Sequence, residues 1–332
     1  MNPSDQMQLL ITGFRVSQAV HTAAELRLSD VLADQPMTVG DLANAAACDP
    51  GALHRLLRAL ASLGVYGELP DGRFASTALG DQLRSDVPGS QHAFATFVGR
   101  PYWWQAWSAL SYSIRTGRNA FQFVHGRDDW QYRAEHPEES ATFDAFMTAN
   151  SVRAGAAIVR AYDFSRFATV VDVAGGRGAL LAAILSQHQN IRGILFDQPH
   201  VVSGAAATFM DAGVHSRCEI VGGDMFDGVP TGGDAYVLKA ILHDWEDPQA
   251  HDILAACRRA MNPSATLLVM ERLLDGAGPE TFFSDLNMLV GPGGLERSTA
   301  EYADLFTGAG FRLTRTVSTG TPWSVIEAVP TT

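Results

Sequence analysis

VDVAGGRGALLAAIL, residues 171–185, joins a short apolar strand to an apolar helix through three glycines. A strand ending at Val173, a turn through Gly175, Gly176 and Gly178 and an immediate helix bring backbone N–H groups and a helix N-terminus against a ligand. Outward from this loop the pattern repeats. ATVVDVA (168–174), IRGILFD (191–197), CEIVGGD (218–224), DAYVLKA (234–240) and TLLVMER (266–272) are short apolar runs separated by helical segments such as PQAHDILAACRRAM (248–261). Strands alternating with helices predict a parallel α/β sheet covered on both faces. FRLTRTV (311–317) and WSVIEAV (323–329), joined by STGTP, predict a closing antiparallel hairpin.

The residues before the sheet read differently. MQLLITGFRVSQAVHTAAELRLSDVLA has helical spacing, and a second helical stretch starts at the N-cap Thr38 and breaks at Asp49-Pro50. Two short strands then flank a Pro-Asp-Gly turn in VYGELPDGRFAST, which completes a winged-helix order. From Thr38 to Arg84 the basic residues Arg55, Arg58, Arg73 and Arg84 face Asp41, Asp49, Glu68, Asp71 and Asp81. A module that enters a DNA groove needs a basic excess, so this one is expected to pack or dimerise. Residues 91–165 are helical and rich in aromatic rings, a composition that fills a core and can line a cleft for a flat ligand.

Composition bounds the function. The 332 residues carry 24 Lys+Arg against 36 Asp+Glu, a net charge of -12 that repels polyanions, so nucleic acid is not expected as a partner. Cys48, Cys218 and Cys257 are far apart and outside any CxxC, which predicts reduced thiols. The N-terminus lacks a basic leader and no apolar run is long enough for a membrane span, so a soluble, cytoplasmic protein without a membrane partner is expected. The histidines form no HExxH or comparable cluster, and no metal is expected. Lys239 is the only lysine, a hint that its point charge is used.

Three acids at successive strand ends identify the ligand of the glycine loop. Asp172, just before the loop, would repel a pyrophosphate but attract the ammonium of an amino acid. Asp197, ending the next strand, is placed to accept from both hydroxyls of a ribose. Asp224 offers an acceptor for an adenine amino group, and Met225 beside it an apolar wall. A nucleoside attached to an amino acid meets all of these, and S-adenosylmethionine (SAM) is that molecule.

DVAGGRG (172–178), FDQP (196–199), GGDMF (222–226), LKAILHDW (238–245) and GPGGLERS (291–298), in this order and spacing, resemble the SAM-dependent small-molecule O-methyltransferases. That family includes plant caffeate-type enzymes and bacterial enzymes that tailor antibiotics and phenazines. The resemblance implies a winged-helix dimerisation domain at 1–100, a helical linker at 101–160 that contributes to the substrate pocket, and a Rossmann-like class I methyltransferase domain at 161–332. The last would hold a seven-stranded, mostly parallel sheet. Carried over by motif, Gly176, Asp197, Asp224, Met225 and Lys239 would bind SAM, which leaves as S-adenosylhomocysteine. His243 would be the general base, oriented by Glu271 and Glu296. Met147 in FDAFM, Asp244 and Met288 in DLNML would line the site of a small aromatic acceptor, in a homodimer. The chain departs from the pattern at Ala174, where glycine is common, and in a turn one residue shorter before Pro292. Alanine at 174 is expected to cost little if its dihedrals stay in an allowed region.

The residue types suit the chemistry, since a phenol with a pKa of about 10 gains from a base near neutrality. Two other readings compete: an N-methyltransferase or a relative that binds SAM without transferring methyl, and a winged-helix regulator that senses a ligand. His243 argues against nitrogen as the acceptor, because an unprotonated ring nitrogen needs no base. The acidic first domain argues against the second.

Overall fold

Thr38 and Asp49 each accept a hydrogen bond from the backbone N–H three residues on, and these caps start helices Val39–Ala45 and Pro50–Ala61. After them β1 (Tyr66–Glu68) and β2 (Phe74–Ser76) pair antiparallel around the Pro-Asp-Gly turn, where Gly72 takes a φ of 78°. Leu28, Leu42, Leu53, Leu57, Leu60, Tyr66 and Phe74 pack into one core. The preceding helix, Pro3–Glu25, buries its C-terminal part but exposes Leu9, Leu10, Ile11 and Phe14 by more than half. An apolar face of that size on a helix is an association surface.

These elements belong to the first of two compact units in the computed structural model, which describes residues 2–331. That unit runs to Trp104 and adds Pro137–Ala149; the second takes Gln105–His136 and the chain from Asn150 on, so the middle helical stretch is divided between them.

The second unit is built on a seven-stranded sheet. In chain order the strands are β3 (Thr169–Val173), β4 (Arg192–Asp197), β5 (Cys218–Gly222), β6 (Ala235–Lys239), β7 (Thr266–Arg272), β8 (Phe311–Ser318) and β9 (Trp323–Pro330), arranged β5-β4-β3-β6-β7-β9-β8. Strands β3 to β7 pair parallel, and the β8–β9 hairpin joins antiparallel to β7. Each strand anticipated from the sequence is present. β6 is buried along its whole length, as a central parallel strand covered on both faces must be. Tyr236, Leu238, Leu267 and Val269 face one core, shared with Ile253, Leu254 and Phe306 from the covering helices. The order reverses between β3 and β6, the crevice where α/β sheets bind their ligands. No described helix is long and apolar enough to cross a membrane.

Candidate active site

At the carboxyl end of β3 the chain turns sharply. Ala174 takes a φ of 53°, Gly176 62° and Gly178 78°, and helix Ala179–Gln187 begins. A Cβ on Gly175 would lie 2.5 Å from the Asp172 carboxyl carbon, and one on Gly178 2.3 Å from the Phe209 ring, so both positions require glycine. The Gly176 N–H donates to Asp197 Oδ2 at 2.7 Å, and the Gln198 N–H to Oδ1 at 2.6 Å. The acid at the end of β4 is thereby locked to the glycine loop. Beyond β5, Asp224 accepts the Phe226 N–H at 3.0 Å and Met225 is half-buried.

Two buried charges stand at the ends of the central strands. Burial pushes Asp172 up to about 7, with Lys239 opposing the shift and Asp197 adding to it. Burial pushes Lys239 down to about 8, opposed by Glu271 and Asp172. Among the described residues neither Asp172 Oδ2 nor Lys239 Nζ has a hydrogen-bond partner; the ammonium lies 4.9 Å from the centre of the Trp323 ring. A buried polar atom without a partner costs about 1–3 kcal/mol, so this pair is suited to a zwitterionic amino-acid group. The residues present fit the methionyl part of SAM.

Next to this cradle, Ala240 follows β6 with a φ of 56° and aims the next N–H groups at one point. Glu271 Oε1, from β7, accepts the N–H groups of Ile241 at 3.0 Å, Leu242 at 3.0 Å and His243 at 3.4 Å. His243 itself is buried in the short turn Leu242–Asp244. Its Nδ1 lies 3.1 Å from Glu296 Oε1 and 3.3 Å from Glu271 Oε2, and its Nε2 lies 3.6 Å from Asp244 Oδ1. Burial alone favours the neutral ring, but Glu271, Glu296 and Asp244 outweigh it and push His243 up to about 10. Asp244 is raised to about 7 by burial, against the pull of His243. Met288 is buried on helix Pro279–Val290 of the same unit, whereas Met147 is half-buried on helix Pro137–Ala161, in a part that belongs to the first unit.

Comparisons with known proteins give the family. Residues 107–312 match the model of the O-methyltransferase domain, and residues 8–86 that of the O-methyltransferase dimerisation domain. The chain is 41% identical to the phenazine O-methyltransferase PhzM of Lysobacter antibioticus, over 97% of this chain and 94% of that one. It is 44% identical to the O-demethylpuromycin-O-methyltransferase of Streptomyces alboniger, over 98% and 89%. The chain belongs to the SAM-dependent O-methyltransferase family. Among solved structures, LaPhzM superposes with a TM-score of 0.96 at 39% identity, covering 99% of this methyltransferase and all of that chain. An O-methyltransferase from neocarzinostatin biosynthesis, solved with SAM and 2-hydroxy-5-methyl naphthoic acid, gives 0.79 at 34% identity, over 95% and 96%. The dimerisation-domain match and the exposed face of helix Pro3–Glu25 support a homodimer.

Several features of the methyltransferase lay beyond the sequence reading. Arg297 is buried and donates to the carbonyls of Leu242 at 3.0 Å and Trp245 at 2.9 Å, and to Asp247, so it holds the backbone on both sides of His243. Its signal was its place beside Glu296 in GPGGLERS. A Cβ on Gly294 would lie 2.1 Å from the His243 carbonyl, so that motif packs directly on the His243 loop. The short turn before Pro292 is held by Asn119, which donates to the Gly291 carbonyl, and by the Gly293 N–H on the Met288 carbonyl at 2.7 Å. Ala174 departs from expectation: it sits in the left-handed region, where a side chain costs about 1–2 kcal/mol. His243, Glu271 and Glu296 also place their ligand atoms within 4.8 Å of one another, a donor set able to hold a divalent ion. Spacing motifs could not reveal it, because the three residues come from three separate segments.

Proposed function

We propose that the methyltransferase acts on an aromatic hydroxyl of a small secondary metabolite, of phenazine, polyketide or simple phenol type, with His243 as general base. The observation that carries this reading is the asymmetry of the imidazole. Both carboxylates that approach within 3.3 Å do so at Nδ1. In the neutral ring a proton held there leaves the lone pair on Nε2, beside Asp244. Bound SAM supplies a methyl group on a sulfonium and leaves as S-adenosylhomocysteine once the acceptor oxygen has taken that methyl.

The chain's own residues do the rest. Asp172 and Lys239 bind the two ends of the amino-acid group, Asp197 the ribose, Asp224 and Met225 the adenine, and Gly175, Gly176 and Gly178 let the backbone approach. His243 Nε2 takes the hydroxyl proton as the oxygen attacks. The carboxylates raise the conjugate acid of His243 above the ordinary imidazole range and towards that of a phenol, which strengthens the neutral ring as a base. Met288 and Asp244 bound the acceptor.

His243→Ala should lower kcat on an ordinary phenol by about 10²- to 10⁴-fold and leave SAM affinity in calorimetry unchanged. The loss should shrink for a nitrophenol that ionises unaided. In the unaltered enzyme the rate should fall as pH drops through the raised value of His243, because the imidazolium cannot accept a proton. The acid limb should therefore lie above the ordinary 6.5. Full turnover by His243→Ala would remove the base, and loss of turnover on treatment with a chelator would transfer the role to a metal on the same three side chains.

A further inference from the structure

Glu296 is gripped twice by one helix. Two consecutive residues of helix Pro279–Val290 reach it: the Ser284 hydroxyl donates to Oε1 at 2.7 Å, and Asp285 Oδ1 accepts the Glu296 backbone N–H at 2.9 Å. The same Oε1 faces His243 Nδ1. Behind Ser284 stands Arg272, whose Nη1 donates to the Ser284 oxygen at 2.8 Å and whose guanidinium lies 4.9 Å from the centre of the Trp323 ring.

The direction of these bonds is forced. Arginine has donors only, so the serine oxygen must accept from it, and the single hydroxyl hydrogen is left for Glu296. The other oxygen of Glu296, Oε2, is buried without a hydrogen-bond partner. No hydrogen bond from the described residues holds that oxygen, and Glu271 Oε2 stands 3.3 Å from Nδ1 as a rival acceptor. Three backbone N–H groups fix Glu271 through its other oxygen, Oε1, so its Oε2 stays in place beside the ring.

We propose that Ser284, its hydroxyl aimed by Arg272, is a positioning residue for methyl transfer: it fixes Glu296 Oε1 on His243 Nδ1 and so fixes the ring whose Nε2 faces the acceptor. The relay runs from Arg272 through Ser284 and Glu296 to His243. Burial alone would raise the carboxyl of Glu296, yet His243, Ser284 and Arg272 hold it below the ordinary range, as an anion held through Oε1.

The inference rests on the proposed base role of His243, and the test separates the two. With SAM and an ordinary phenol, Ser284→Ala should lower kcat about tenfold, with SAM affinity unchanged and the acceptor KM moved less than twofold. Ser284→Thr, which keeps the hydroxyl, should restore the rate, and Ser284→Cys, isosteric with a weak donor, should fall between. The loss should shrink for a nitrophenol and vanish when Ser284→Ala is added to His243→Ala, because both act through one imidazole. A merely structural serine would give a loss that ignores acceptor pKa and persists beside His243→Ala, and that result overturns the relay. So does full turnover in Ser284→Ala while His243→Ala is impaired. Full turnover in His243→Ala removes the base reading itself. If Ser284→Ala does not fold, the Thr and Cys variants decide by the same ratio, and equal rates in those two count against the relay.

Discussion

The proposed cofactor cradle and the proposed base site lie at the ends of neighbouring strands of one sheet, yet they are built by different means. The cradle is made of backbone turns and one acid for each strand end, with Asp172 and Lys239 buried and short of partners. In the base site, by contrast, charges are crowded and engaged: His243 stands between Glu271 and Glu296, and Arg297 pins its loop. The first region holds unmet polar demand, which the proposed cofactor would relieve. The second turns its charges on one another: among the described residues Glu271 Oε2 and Glu296 Oε2 also lack hydrogen-bond partners, but each carboxylate uses its other oxygen to hold the His243 loop or ring.

Removing one carboxylate from each region should therefore move stability in opposite directions. Asp172 is raised from 3.8 to about 7, so between those values the native state holds a proton that the unfolded chain has lost. Stability through this group falls as pH rises across that window. Asp172→Asn should stabilise the unliganded protein by about 2–4 kcal/mol above pH 7, by no more than a small amount near pH 4, and it should weaken SAM binding. Glu296 is lowered, so its contribution is present above its ordinary value and lost as pH falls through the lowered one. Glu296→Gln should cost about 1–3 kcal/mol at pH 7, a deficit that closes in acid. Urea unfolding at several pH values reads both, and the same sign for the two variants would break the contrast.

This contrast also explains what could be read from the chain. The sheet was legible because its buried parallel strands are continuous apolar runs, and the cradle because Asp172, the glycines and Asp197 are adjacent to those runs or within the motif itself. Local chemistry writes local sequence. His243, Glu271 and Glu296 were reached through resemblance, since a histidine in LHDW and two glutamates carry no spacing signal alone. Ser284 and Arg297 escaped notice because their roles exist only after segments 12 to 55 residues apart converge. The strained φ of Ala174 was hidden for another reason: alanine gives no hint of a left-handed turn that glycine would have announced.

Asp197 sharpens the cradle side of the comparison. Both its oxygens already accept backbone N–H groups, from Gly176 and Gln198, so the carboxylate is held in place before a ribose arrives. If it binds both ribose hydroxyls, Asp197→Ala should weaken SAM and S-adenosylhomocysteine by about 1.5–3 kcal/mol in calorimetric titration. The glycine loop loses a tether, but the buried strand beneath it remains. An unchanged affinity would remove Asp197 from the cofactor site.

The smallest effect separates the regions at the level of a single methyl group. Ala174 and Ala240 have nearly the same left-handed φ, 53° and 56°, one in each region. Glycine at either position relieves roughly 1–2 kcal/mol of left-handed strain and returns about 0.5–1 kcal/mol through the greater freedom of the unfolded chain. At position 174 the side chain is only half-buried, so a net gain of about 0.5–1 kcal/mol should appear as a higher urea midpoint for Ala174→Gly. Ala240 is 2% exposed, and loss of its buried methyl costs about 0.8 kcal/mol, which cancels the gain. Ala240 also turns the chain so that three N–H groups converge on Glu271, and a freer backbone there loosens the His243 loop. Ala240→Gly should leave stability unchanged while lowering kcat several-fold, whereas Ala174→Gly should gain stability with kcat intact. Equal behaviour of the two variants would mean that the base loop draws its rigidity from Arg297 and Gly294 and not from the turn at 240.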